Sequence, residues 1–363
     1  MPWPELGRKS MSPLQSYFEK SLSRNTDGIL GIPIADFRKD VAQRLLERAG
    51  RVRLYAHTYA FFFNFKYGCF DIEDLLRFAF QQGLQGISAH IDSGQARCLR
   101  RKTVSELGEI RAHAEKLELG INLEISSVSK DEVADVVRIA RALNAKNIRV
   151  YFRHAGRVSE ILQRGIDELK DVARIAAEHD LQFTLEQHED LKSHELVHII
   201  TEVNSERIGL LFDFGNMINA LEEPLPALQT MAPYIRQVHL KGIRRIRHLS
   251  GFAQLGVAQG EDDLPQMKML LDLLMLGEDE PQVETFSLEQ EIGYYSPVFR
   301  QHGEDPDPVI PERGPSETPL DQNIPLKDSL LMEIRNACDQ LRFVRNLLEN
   351  LKTIADIQLS FQT

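Results

Sequence analysis

From Arg51 onward, short β-rich runs alternate with longer segments whose apolar positions recur every three or four residues. The runs predict eight strands, at 53–58, 86–90, 120–125, 147–152, 182–186, 208–213, 235–240 and 285–289. The helical period predicts helices over 72–82, 105–117, 130–143, 165–179 and 193–204. Asp71, Thr103, Ser129 and Ser193 are suited to cap four of them, because a short side-chain oxygen accepts from the free amides of a first turn. Gly83 and Gly120 lie where a helix must stop and a strand begin. Eight consecutive βα units close naturally into a (β/α)8 TIM barrel, whereas a doubly wound sheet stops at fewer strands.

On either side of this rhythm the texture changes. Residues 1–50 read as an N-terminal extension, with a helix beginning near 12–18 and an amphipathic helix over 36–49. The barrel is expected over 51–353, with an acidic, Pro-rich insertion at 293–325 that carries Pro297, Pro306, Pro308, Pro311, Pro315, Pro319 and Pro325. Leu330, Leu331, Ile334, Leu341, Val344 and Leu348 restore the helical period and predict a closing helix over 327–353, followed by a tail at 354–363. The 363 residues are thereby assigned mainly to one core, although length alone allows two domains of about 150 residues.

Composition narrows the partners. Forty-three Lys and Arg against 54 Asp and Glu give a net charge of −11, which repels a nucleic-acid backbone on average. Cys69, Cys98 and Cys338 form no C-x-x-C pair and no disulfide framework, as expected in a reducing cytoplasm. No apolar run approaches the roughly 18 residues that span a bilayer, and the first residues lack the apolar core of a signal peptide, so neither membrane nor export is expected.

Chemistry in this architecture sits at the C-terminal ends of the strands. Strand five ends in Leu185-Glu186-Gln187-His188-Glu189, strand six in Phe212-Asp213-Phe214-Gly215-Asn216, strand seven in Val238-His239-Leu240-Lys241 and strand eight in Ser287-Leu288-Glu289-Gln290-Glu291. Carboxylates converging with one imidazole on one barrel mouth would repel one another without a cation among them. Such an oxygen-rich set suits Mn²⁺ best, with Mg²⁺ or Co²⁺ as alternatives.

These four segments, with Leu54-Tyr55-Ala56-His57-Thr58-Tyr59 as the first strand, resemble the xylose isomerase-like TIM-barrel superfamily of sugar isomerases and epimerases. Its patterns are L-E-x-H, D-x-G-H/N, V-H-L-K-D and S-L/I-E after strands five to eight. The resemblance implies that Glu186, Asp213, His239 and Glu289 hold a divalent metal and that Glu186 and Glu289 also act as the catalytic acid/base pair on a keto sugar or related polyol, through an enediolate. By their places at the strand ends, His188, Asn216, Lys241, His57 and His90 are further candidates for substrate contact, with Lys241 either meeting a substrate oxygen or pairing with Glu291. Tyr59, Glu124 and His154 either line the pocket or serve the scaffold. Two positions depart from the patterns: Asn216 stands where many relatives carry histidine, and Gly242 replaces the aspartate of V-H-L-K-D, which removes a partner for His239.

Two further stretches are ambiguous in sequence. The aromatic run Phe61 to Tyr67 is either an apolar wall against a sugar or ordinary packing. The basic cluster Lys241 to His248 either binds an oxyanion or is a solvated loop. A lyase on the same site is the nearest rival, since proton removal beside a carbonyl can also end in elimination. A DNA-repair endonuclease on this barrel is disfavoured by the charge and by the absence of D-x-H after strand seven. A non-catalytic partner-binding barrel is a third reading. Homo-oligomers are common among such relatives.

Overall fold

A computed structural model describes residues 38–312 and 319–360. The helix start expected near 12–18 and part of the Pro-rich insertion lie outside the described residues. The first strands are β1 (Leu54–His57), β2 (Gly86–His90), β3 (Gly120–Glu124), β4 (Asn147–Val150) and a short β5 (Gly156–Arg157). They are followed by β6 (Gln182–Glu186), β7 (Ile208–Asp213), β8 (Ile235–Leu240), β9 (Gly242–Arg247) and β10 (Phe252–Val257). Last come β11 (Thr285–Leu288), β12 (Tyr295–Ser296) and β13 (Val309–Ile310).

Eight of these, β1, β2, β3, β4, β6, β7, β8 and β11, pair in parallel and close on themselves as a barrel. They are the eight strands that the hydrophobic pattern predicts, within one or two residues at their ends. Their register places Asp213 beside His239 and Glu124 beside both Arg149 and His90, so charged residues at strand ends meet in one layer.

The helices follow the predicted order, with instructive differences at their ends. Asp71 and Thr103 complete capping boxes and Ser129 accepts from Glu132 N. Ser193 does not cap: Lys192 takes that position, and Ser193, one residue inside, gives its N–H and hydroxyl to Glu222. The helix expected at 165–179 begins earlier, at Val158, because Val158, Ile161 and Leu162 extend its buried face. The closing helix runs Leu326–Ser360 and absorbs most of the expected tail, since Leu351, Ala355 and Gln358 are buried. It packs along the first described helix, Lys39–Gly50, whose Val41, Ala42, Leu45 and Ala49 join the main core.

The aromatic run is packing. Phe61 stacks on Phe70 with centroids 5.1 Å apart and meets Phe78 edge-on at 4.8 Å, while Glu333 of the closing helix accepts from the amides of Phe63 and Asn64. The basic cluster is a strand: β9 pairs with β10 as a six-residue antiparallel hairpin, and β12 adds a third edge. Arg245 reaches outward to both carboxylate oxygens of Glu223 at 2.7 Å, and Arg244 meets the Glu261 carbonyl. Lys241, at the start of that cluster, pairs with the buried Asp213 at the barrel mouth.

The hairpin is held against the segment that follows β11. Gly256 N–H donates to the Tyr294 carbonyl, and Gly293 N–H donates to the Gly256 carbonyl. A Cβ at position 256 would lie 1.9 Å from the Glu291 carbonyl oxygen. Gly256→Ala is therefore expected to force the two segments apart at a cost of about 1–3 kcal/mol, read as a lower Tm together with faster amide exchange in 252–257 and 293–296. Unchanged exchange there would contradict the account.

Candidate functional site

The mouth of the barrel gathers Glu186 from the end of β6, Asp213 from β7, His239 from β8 and Glu289 just beyond β11. They are 3%, 0%, 1% and 5% exposed. One ligand atom from each lies within 4.8 Å of all the others. His239 Nδ1 is 3.4 Å from Glu186 Oε1 and 3.1 Å from Glu289 Oε2. Glu186 Oε2, Asp213 Oδ2, His239 Nδ1 and Glu289 Oε2 are buried and make no well-aligned hydrogen bond among the described residues, although Asp213 Oδ2 is ion-paired with Lys241 and Glu186 Oε2 lies 3.3 Å from Arg149 Nε. Buried polar atoms are normally satisfied, so this under-satisfied cluster is one that could hold a cation.

The charge balance agrees. Among the described residues, Glu124, Glu186, Asp213 and Glu289 meet the cations Arg149 and Lys241 and the imidazoles of His57 and His239. With both imidazoles neutral, as a metal-ligating histidine is, four carboxylates against two cations leave two negative charges for a divalent ion to offset. Burial pushes Asp213 up to about 7 although Lys241 opposes it, so the carboxylates resist sharing the space uncompensated. Burial also acts to raise Glu289, but His239, His57 and Lys241 outweigh it and hold its carboxyl well below the usual range. The donor set therefore fits a hard divalent cation.

Around this cluster stand residues that tune it. Lys241 Nζ is 2.9 Å from Asp213 Oδ2 and donates to Asn216 Oδ1 at 2.9 Å. Asn216 donates from Nδ2 to Glu186 Oε1 at 3.3 Å and meets His188 Nδ1 at 3.4 Å, so the residue that replaces histidine serves as a junction. The His188 ring lies on Tyr151, centroids 3.9 Å apart. Gln254, from the hairpin, donates to Glu189 and Asn216, and the Tyr294 hydroxyl also donates to Glu189. The hairpin and the segment after β11 thus roof the mouth.

On the opposite side, His57 Nε2 is 2.8 Å from Glu124 Oε2, His90 Nε2 is 2.8 Å from Ser126 Oγ, and Tyr59 stacks on His90. His154 is displaced from this group: it pairs with Glu168 on the helix Val158–His179. Sequence reasoning missed Arg149 altogether. It is 2% exposed, bonds Glu124 and lies 3.3 Å from Glu186 Oε2. An arginine inside the apolar run Asn147-Ile148-Arg149-Val150 was the available signal, because a strand interior does not bury a guanidinium without partners.

His90 supplies a pH prediction. Burial, with the Arg149 charge next, pushes its imidazole from 6.5 down to about 4. The folded chain therefore favours neutral His90 more than the unfolded chain does. This contribution is complete above about pH 6.5 and is lost as pH falls towards 4, amounting to roughly 3 kcal/mol. In His90→Gln, the loss of Tm between those pH values should become shallower; an identical slope would refute the assignment.

Residues 76–271 match the family of xylose isomerase-like TIM barrels. The chain belongs to this family. It is 39% identical over 315 residues to the uncharacterized protein YihM of Escherichia coli (strain K12), covering 87% of this chain and 97% of that protein. It is 27% identical over 139 residues to the 3-oxo-isoapionate decarboxylase of Pectobacterium atrosepticum, covering 38% of this chain and 50% of the relative. Among solved structures, D-psicose 3-epimerase from Clostridium cellulolyticum H10 shares the fold with a TM-score of 0.57 at 13% identity, over 82% of this chain and 99% of that one. The proteins it is similar to thus include a decarboxylase and, by fold, an epimerase. Among the described residues, no helix is long and apolar enough to cross a membrane.

Proposed function

We propose that the chain is a divalent-metal-dependent isomerase or epimerase of a keto sugar or related polyol, working by proton removal next to a carbonyl. The observation that carries this reading is the convergence of four buried side chains, Glu186, Asp213, His239 and Glu289, each with an oxygen or nitrogen within 4.8 Å of the others. When bound there, Mn²⁺, Mg²⁺ or Co²⁺ supplies Lewis-acid polarisation of the substrate oxygens.

The chain's own groups supply the rest. Glu186 and Glu289 stand on strands separated by β7 and β8, so their carboxylates approach a substrate from two sides; one takes the carbon-bound proton and the other delivers one. Lys241, held by Asp213 and Asn216, offers its ammonium to a substrate oxygen. His188, beside Asn216, is the candidate to bond a substrate hydroxyl, whereas both ring nitrogens of His57 are already engaged, by Glu124 and by the Tyr59 N–H. The roof excludes water, which protects an enediolate from side reactions. Three free cysteines fit a cytoplasmic setting.

The test is solvent-deuterium incorporation into keto sugars and inositol ketones with Mn²⁺, with and without a chelator. Chelator-sensitive exchange at carbon is expected; exchange that ignores the chelator, or none in any substrate, rejects the reading. The similarity to a decarboxylase favours a lyase as second reading. Product of unchanged mass supports the isomerase, and loss of carbon dioxide or water supports the lyase.

A further inference from the structure

We propose that Glu124 is a positioning residue for His239, holding the imidazole by Nε2 so that Nδ1 is the nitrogen presented to a divalent cation. The inference rests on His239 being a ligand and adds a residue from β3 that neither contacts the cation nor belongs to the strand-end motifs. Glu124 Oε1 lies 3.1 Å from His239 Nε2, and Oε2 lies 2.8 Å from His57 Nε2 and also bonds Arg149. The His57 donor is fixed in turn: its Nδ1 accepts from Tyr59 N–H at 3.0 Å, so its proton resides on Nε2 and points at Glu124. One carboxylate thus receives three donors in a fully buried setting. On the far side of the His239 ring, Nδ1 has no hydrogen-bond partner among the described residues and faces Glu186 and Glu289. An imidazole anchored through one nitrogen has its tautomer and orientation set and its other nitrogen made a better ligand.

Two observations make this arrangement specific to the chain. A Cβ at Gly242 would lie 2.7 Å from both the Val257 carbonyl oxygen and Gln259 Cα, so the hairpin excludes the aspartate of the V-H-L-K-D pattern and the anchor must come from another strand. His57, Glu124 and His239 are also close enough to hold a cation themselves, but the Arg149 guanidinium already stands on the same Glu124 oxygen as His57. The trio is therefore a relay of hydrogen bonds and not a second metal centre.

Two measurements on the full-length protein test the inference. In the first, chelator-stripped wild type and Glu124→Gln are titrated with Mn²⁺ by calorimetry. Glutamine offers one acceptor where three donors converge, and affinity is expected to fall about 10–100-fold. In the second, wild-type protein labelled with ¹⁵N-histidine is loaded with ¹¹³Cd²⁺, and His239 is identified by the signal lost in His239→Asn. Direct coupling to cadmium is expected at Nδ1, with the proton retained on Nε2. Coupling at Nε2 overturns the inference whether or not Glu124→Gln folds, as does Mn²⁺ binding by that variant within about twofold of wild type. In either case the ligand reading survives. A wild-type chain that takes up neither ion overturns both.

Discussion

Replacing Glu289 with glutamine is expected to reduce metal-dependent deuterium exchange by at least about a thousandfold, or some 4 kcal/mol of transition-state stabilisation. The size follows from two losses in one substitution. The amide cannot accept a proton from carbon, and it weakens the ligand set by removing a charge that His239 and Lys241 now share. Glutamine preserves volume at a residue only 5% exposed, so the fold should persist and the loss should be chemical. Glu186→Gln should behave alike, whereas Glu189→Gln, at a residue after β6 that binds the roof through Gln254 and Tyr294, should leave most exchange intact. Full exchange in Glu289→Gln would remove this carboxylate from the chemistry.

The largest stability effect is expected at Arg149. Its guanidinium is sealed between Glu124 and Glu186, and burial alone would lower its charge affinity were it not for those two carboxylates. Arg149→Met fits an apolar chain into the space but strands two buried carboxylates, a loss of about 3–5 kcal/mol. The same reasoning gives a sharper check. In Arg149→Met with Glu124→Gln, charge is removed from both sides, and part of the loss should be recovered. Thermal or denaturant unfolding of the two single variants and the double measures the coupling. Strict additivity would mean that the guanidinium and Glu124 do not depend on each other.

These two residues also mark where reading the chain alone stops. The eight strands and most helices are legible because a one-dimensional pattern, period two against period 3.6, encodes which face is buried. Glu186, Asp213, His239 and Glu289 stand out because each follows an apolar run that ends at the barrel mouth, while the resemblance, not the runs, selects them as ligands; the structure brings one side-chain atom of each within 4.8 Å of the others. Arg149 and Glu124 carry the same burial, but their pairing depends on β3 lying beside β4 in a register that only the closed sheet defines. The hairpin β9–β10 reads as a basic loop because Arg244, Arg245 and Arg247 break up its apolar positions, and the buried Ile243, Ala253 and Gln254 are too sparse to announce a strand. Gly242 looks like a missing partner in sequence; in three dimensions it is the room that the hairpin needs.

The contact between the helices Lys39–Gly50 and Leu326–Ser360 bears on how the protein comes into being. Val41, Ala42 and Leu45 are completed by a helix almost the whole chain away, so during synthesis they emerge from the ribosome long before their partner exists. Contacts of such sequence separation form late and slowly, and nascent chains that stop short of Leu326 should depend on chaperones to stay soluble.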